Sequence, residues 1–289
     1  MISINTFNVR INTSGKNKKN SKSKNSVLLE NALILQKKGE LNQAAKIYSQ
    51  LIKNKFFEEK VFLNYALICQ DQNKLDDAII LYKEAIRINP KNFIPFFKVG
   101  FILNNRGMAY EAHPFAKKAI ELNPNFWQGY HNFIKILREL NRPKDAASIA
   151  EKAKNLFSGN HLFDGLLGDI NADIGNFEEA IENYEKAIKK VSNDDETLCW
   201  TIYEYANFLV GIGRKKESIS RLRKVLKLNP KYTMAYYLLS DIFKSGEDEA
   251  LENTILNTQI SNFNTLEDKY SLLFAKSNIF HKRKNYEKS

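Results

Sequence analysis

The side chains best suited to chemistry in this 289-residue chain are four histidines, two cysteines and a few paired carboxylates. A metal site needs such ligands at short, recurring spacings. His113, His131, His161 and His281 stand far apart and read as scattered surface imidazoles. Cys69 and Cys199 are equally isolated, which points to a reducing compartment and a cytoplasmic location. Asp76-Asp77 and Glu178-Glu179 sit where helices are expected to start, and acids there complement the helix dipole without any catalytic role. Asp194-Asp195 falls in an expected loop. Ser14-Gly15-Lys16 lacks the earlier glycine and the preceding strand of a phosphate loop. No Ser/His/Asp or Cys/His arrangement can be assembled. The chain is therefore expected not to be an enzyme by itself, and to use no metal or cofactor.

Charge narrows the partners. The formal net charge is +11, but Arg10, Lys16, Lys18, Lys19, Lys22 and Lys24 supply six of it with no acid before Ser26. A leader of residues 1–24, rich in Asn, Ser and Lys, has too little apolar content to fold and is expected to be a solvated, disordered segment. A basic run can also meet nucleic acid or a membrane surface. Beyond it the bases are largely balanced by acids and are not grouped with stacking aromatics, so nucleic-acid binding is not expected. The most apolar run, Phe93 to Leu103, is interrupted by Lys98 and fits a packed helix rather than a membrane span. No secretory signal is expected at the start.

The elements that must position these groups follow from a recurrence. Ala44, Ala78, Ala112, Ala146 and Ala180 fall 34 residues apart. Each follows a usually small residue by twelve positions (Ala32, Ala66, Gly100, Ile134, Gly168), and from the second onward each precedes another alanine by seven (Ala85, Ala119, Ala153, Ala187). Within one unit, Phe62, Tyr65, Ala66 and Cys69 make one face of a first helix. Asn73-Lys74 breaks it. Leu75, Ala78, Ile79, Tyr82, Ala85 and Ile86 mark a second helix that stops before Pro90. The short break makes the pair antiparallel, and the small residues sit where the helices cross.

This pattern, best read in Leu81-Tyr82-Lys83-Glu84-Ala85-Ile86-Arg87-Ile88-Asn89-Pro90, closely resembles the tetratricopeptide repeat (TPR). The resemblance implies an all-α, right-handed superhelical solenoid over 25–289, with units starting near 25, 59, 93, 127, 161, 199 and 233. A partial eighth would begin near 270. It also implies a non-catalytic interaction scaffold whose first helices line a concave groove for a peptide or protein segment. The groove candidates are Asn64, Phe97, Lys98, Phe101, His131, Asn132, Lys135, Tyr203 and Asn207, with Lys60, Leu67, Asn105, Leu166, Asp169 and Glu204 on the same faces. Asn64 and Asn132 share a repeat position, similar to the asparagine ladder of the O-GlcNAc transferase array, but Lys98 and Leu166 interrupt it. The carboxylate-clamp order of heat-shock chaperone adaptors is absent.

Departures from the pattern carry further expectations. The step from Ala180 to Ser218 stretches, so 192–196 is expected to be a longer loop. The seventh unit is degenerate after Phe243. Pro114 costs little if its helix starts close to it and kinks the helix if it lies deeper. Leu272 to Phe280 reads as a first helix whose partner barely begins at Lys284, leaving Leu273 and Phe280 partly bare and inviting self-association. Leu266–Ala275 with Asn285–Lys288 resembles the last repeat of bacterial TPR–sulfotransferase proteins. That implies the alternative function of a substrate-docking half whose catalytic domain lies elsewhere.

Overall fold

Apolar residues at helical spacing, broken every 34 positions by a residue that turns the chain, fold as paired helices. The computed structural model describes residues 23–191, 196–244, 246, 248–263 and 265–283. Among them are fifteen α-helices and one 3-10 turn, with no strand. Residues 1–22 of the basic leader, 192–195 of the expected loop and 284–289 lie outside the described residues. The leader boundary moves slightly: Lys24 is already helical, with the Ser23 hydroxyl accepting from the Ser26 amide.

The chain divides into two compact units, Met1–Pro90 and Lys91–Ser289. The first holds α1 (Lys24–Lys37), α2 (Leu41–Lys53), α3 (Glu59–Asp71) and α4 (Leu75–Ile88). The second begins with α5 (Phe93–Asn105), α6 (Ala109–Leu122), α7 (Trp127–Glu139) and α8 (Pro143–Leu156). It continues through α9 (Leu162–Ile174), α10 (Phe177–Lys190), α11 (Glu196–Gly211) and α12 (Lys215–Leu228), then α13 (Thr233–Ile242), α14 (Glu249–Asn257) and α15 (Leu266–Lys282). Two starts differ from the sequence reading. Glu196 already opens α11, and α15 begins at Leu266 because Thr265 accepts the Asp268 amide at 3.1 Å.

The turn inside each pair needs one left-handed residue. Asn73 and Asn141 take φ of 58° and 54°, and asparagine is the side chain that tolerates this region best after glycine. The next amides, of Lys74 and Arg142, then reach back to the carbonyls of Cys69 and Leu137 at 2.8 and 2.9 Å.

The crossings explain the small residues. A Cβ on Gly168 would sit 3.0 Å from the Tyr184 ring, and one on Gly100 would sit 3.1 Å from the Ala116 nitrogen. Bulk is complementary across the pair. Second helices with a buried tyrosine (Tyr48, Tyr82, Tyr184) face Ala32, Ala66 and Gly168. Ile134, the exception in the sequence pattern, is fully buried opposite α8, whose buried residues are Ala146, Ala150 and Ala153. Pro114 is the sixth residue of α6, so its nitrogen cannot donate to the Tyr110 carbonyl. Tyr110 is 83% exposed, so the proline lies on the turn above a solvent-facing residue, and α6 runs on unbroken to Leu122.

The final helix is fastened more firmly than the sequence alone implies. Leu272, Ala275 and Ile279 are buried, and the Lys282 ammonium donates to the carbonyls of Ser240, Asp241 and Phe243 at 2.7, 2.6 and 2.9 Å. It thereby closes the C-terminal end of α13. Leu266, Tyr270, Leu273 and Phe274 remain exposed on the other side.

Candidate functional site

In the second unit, α5, α7, α9, α11 and α13 each contact the next odd-numbered helix, while α6, α8, α10 and α12 each pack mainly between their own partner and the following first helix. Helices that touch their counterparts form the shorter arc of a stack. The odd-numbered layer is therefore the inner face of this unit, and it carries eight of the nine groove candidates. Asn64 lies in the first unit, where its side-chain amide donates to the Lys60 carbonyl at 2.7 Å.

The close approach of neighbouring first helices buries more of these candidates than the sequence implies. Phe97 is a core residue, 3% exposed and edge-on to Phe126 at 4.8 Å. Phe101 packs beside it at 6.0 Å and is half-buried. Lys98, Asn132 and Tyr203 are buried, Tyr203 against Tyr232 at 5.7 Å. Lys135 and Asn207 are exposed. His131 shows a rim to solvent, but its imidazole is enclosed and lies edge-on to Trp200 of α11 at 6.3 Å.

The histidines are not uniformly surface groups. His161 is buried, with its Nε2 2.6 Å from the Thr197 hydroxyl. His131 has its pKa pushed down to about 4, first by burial and then by the Lys135 charge, so its ring is neutral. Its Nε2 and the Asn132 Nδ2 are both buried without a hydrogen-bond partner. No group of three or more His, Cys, Asp or Glu residues among those described is arranged to hold a metal ion.

A polar network crosses the same face. The Arg138 guanidinium donates to Asp169 Oδ2 at 2.8 Å and to Asp173 Oδ2 at 2.6 Å. The Tyr184 hydroxyl donates to the other Asp169 oxygen at 2.5 Å. Asp169 is held above its ordinary pKa by burial, which the Arg138 charge and the Tyr184 hydrogen bond only partly oppose. Glu204, on α11, has its pKa pushed up to about 7, first by burial and next by the Asp169 charge, with Lys135 and Arg138 opposing. Arg138 and Asp173 were absent from the sequence-derived candidates. Their spacing held the signal, since Arg138 follows His131 by seven and Lys135 by three, on one helical face.

Two stretches match models of the tetratricopeptide repeat, residues 29–93 and 165–189. No curated protein matches the sequence. Among solved structures, MamA from Desulfovibrio magneticus RS-1 is similar at 12% identity and a TM-score of 0.55, over 61% of this chain and 99% of that one. A crystal structure of MamA matches at 17% identity and a TM-score of 0.54, over 57% of this chain and 91% of the other. MamA from MSR-1 matches at 19% and 0.51, over 57% and 95% respectively. The matched stretches are repeats alone and do not bear on the sulfotransferase-type resemblance near the C-terminus. The chain carries tetratricopeptide repeats, in an all-α fold that it shares with MamA.

Proposed function

We propose that the inner face of the second unit binds an extended segment of a protein partner, and that the chain acts as a non-catalytic scaffold in the cytoplasm. The observation that carries this reading is unmet hydrogen-bonding capacity on α7: Asn132 Nδ2 and His131 Nε2 are buried with no partner. Leaving such an atom unpaired costs about 1–3 kcal/mol. A peptide backbone laid along the inner layer would supply the missing partners once the side chains that cover these atoms move aside. Repeat scaffolds present such continuous inner surfaces because their units stack in one dimension. Asn207 and Lys135 add exposed polar groups to the path, and Phe101 and Trp200 add apolar ones.

The test is a selection of random dodecapeptides displayed on phage against the full chain. Affinities of the selected peptides are then measured by fluorescence anisotropy for the native chain, Lys135→Ala and Asn207→Ala. Both positions are exposed, so folding is preserved. Each substitution is expected to weaken binding about 3- to 10-fold, the worth of one surface hydrogen bond. Failure to enrich any peptide, or binding untouched by both substitutions, overturns the proposal.

A further inference from the structure

We propose that Glu204 forms the recognition pocket for a lysine or arginine side chain of the bound segment. The inference rests on the inner face being the binding surface and adds the chemistry of its partner. Glu204 is only partly exposed, yet it makes no hydrogen bond and no ion pair among the described residues. The acids around it are already engaged: Asp169 by Arg138 and Tyr184, and Asp173 by Arg138. A desolvated carboxylate without a cation is costly, and an arriving opposite charge would offset that cost.

The surroundings fit a cation with an alkyl stem. Tyr203 and Tyr232 stand with ring centres 5.7 Å apart, both near enough to feel the Glu204 charge. Trp200 lies one turn earlier on α11, and Tyr237 of α13 lies near enough to Tyr203 to perturb its phenol. Aromatic faces beside a carboxylate receive the methylene stem and attract the charged head, and here those of Trp200, Tyr232 and Tyr237 are accessible while Tyr203 backs them from the core. The charged and titratable groups facing Glu204 are Lys135 and Arg138 from α7, Asp169 from α9 and the Tyr184 phenol from α10, with the Tyr203 phenol on its own helix and Tyr232 just before α13. Lys135 influences Glu204 without forming an ion pair, so an incoming cation completes the site instead of displacing a bound one.

The test uses dodecapeptides selected at pH 8 from the random phage library. Selection is expected to place Lys or Arg in one fixed column of the aligned binders. Replacing that residue by norleucine should weaken binding to the native chain about tenfold and leave binding to Glu204→Gln nearly unchanged. Reselection on Glu204→Lys should replace the basic column with an acidic one. Circular dichroism establishes that both variants keep their helices, and Glu204→Asp serves as a size-reduced acid that retains the preference. Binders with no basic column, or an equal norleucine penalty in native chain and Glu204→Gln, overturn the pocket while leaving peptide binding intact. A library that yields no binders removes the binding surface and the pocket together.

Discussion

Replacing Glu204 by Gln should stabilise the fold, and the gain should depend on pH in a predictable way. An unfolded glutamate ionises near 4.5, whereas burial, and next the Asp169 charge, push Glu204 up to about 7 in the folded chain. The folded state thus holds the proton more tightly, and raising the pH from 4.5 to 7 progressively costs stability that glutamine does not lose. A shift of one pKa unit corresponds to about 1.4 kcal/mol, so the full difference is about 3 kcal/mol at pH 8 and under about 1 kcal/mol at pH 5. Glutamine keeps the shape, so packing changes little. Urea denaturation of the native chain and Glu204→Gln at pH 5 and pH 8 measures it, with Asp169 and Lys135 common to both proteins. A variant less stable than the native chain at pH 8, or a difference that does not change with pH, would refute the reasoning.

Three other outcomes follow from packing. Ala180, fully buried at a helix crossing, should cost roughly 1–3 kcal/mol when changed to Leu, whereas exposed Lys189→Leu on the same helix should be nearly neutral by thermal denaturation. Gly100→Ala should destabilise by about 1 kcal/mol or more, because the new methyl meets the backbone of Ala116 at 3.1 Å, outweighing the better helix propensity of alanine. Lys282→Ala should strip three carbonyls at the end of α13 of their donor, with faster hydrogen exchange through α13 and α15 and a loss of about 1–3 kcal/mol.

The helix pairs were legible because sterics write them at fixed spacing. Alanine or glycine marks the crossings, and asparagine or glycine marks the left-handed turn. The compensation of Ile134 by Ala150 was also present in the sequence, though only the crossing geometry gives it meaning. Exposure along the first helices was less legible. A heptad pattern says which residues share a face but not how closely the next helix approaches, so Phe97 reads as groove lining and turns out to be core. Charge pairing between repeats was invisible for the same reason. Arg138 and Asp169 are 31 residues apart, and their contact depends on how α7 sits beside α9.

The central claim is that a bound segment lies along the inner layer of the second unit, and site-specific photo-crosslinking tests it most directly. Benzoylphenylalanine would replace Lys135, Asn207 or, as the control on the outer helices, Lys186, whose side chain is 56% exposed. Each protein would be irradiated with a peptide selected on the native chain. Crosslinks from positions 135 and 207 to different parts of one peptide, with none from 186, are what the account predicts. Equal crosslinking from 186, or crosslinking from 186 alone, would contradict it.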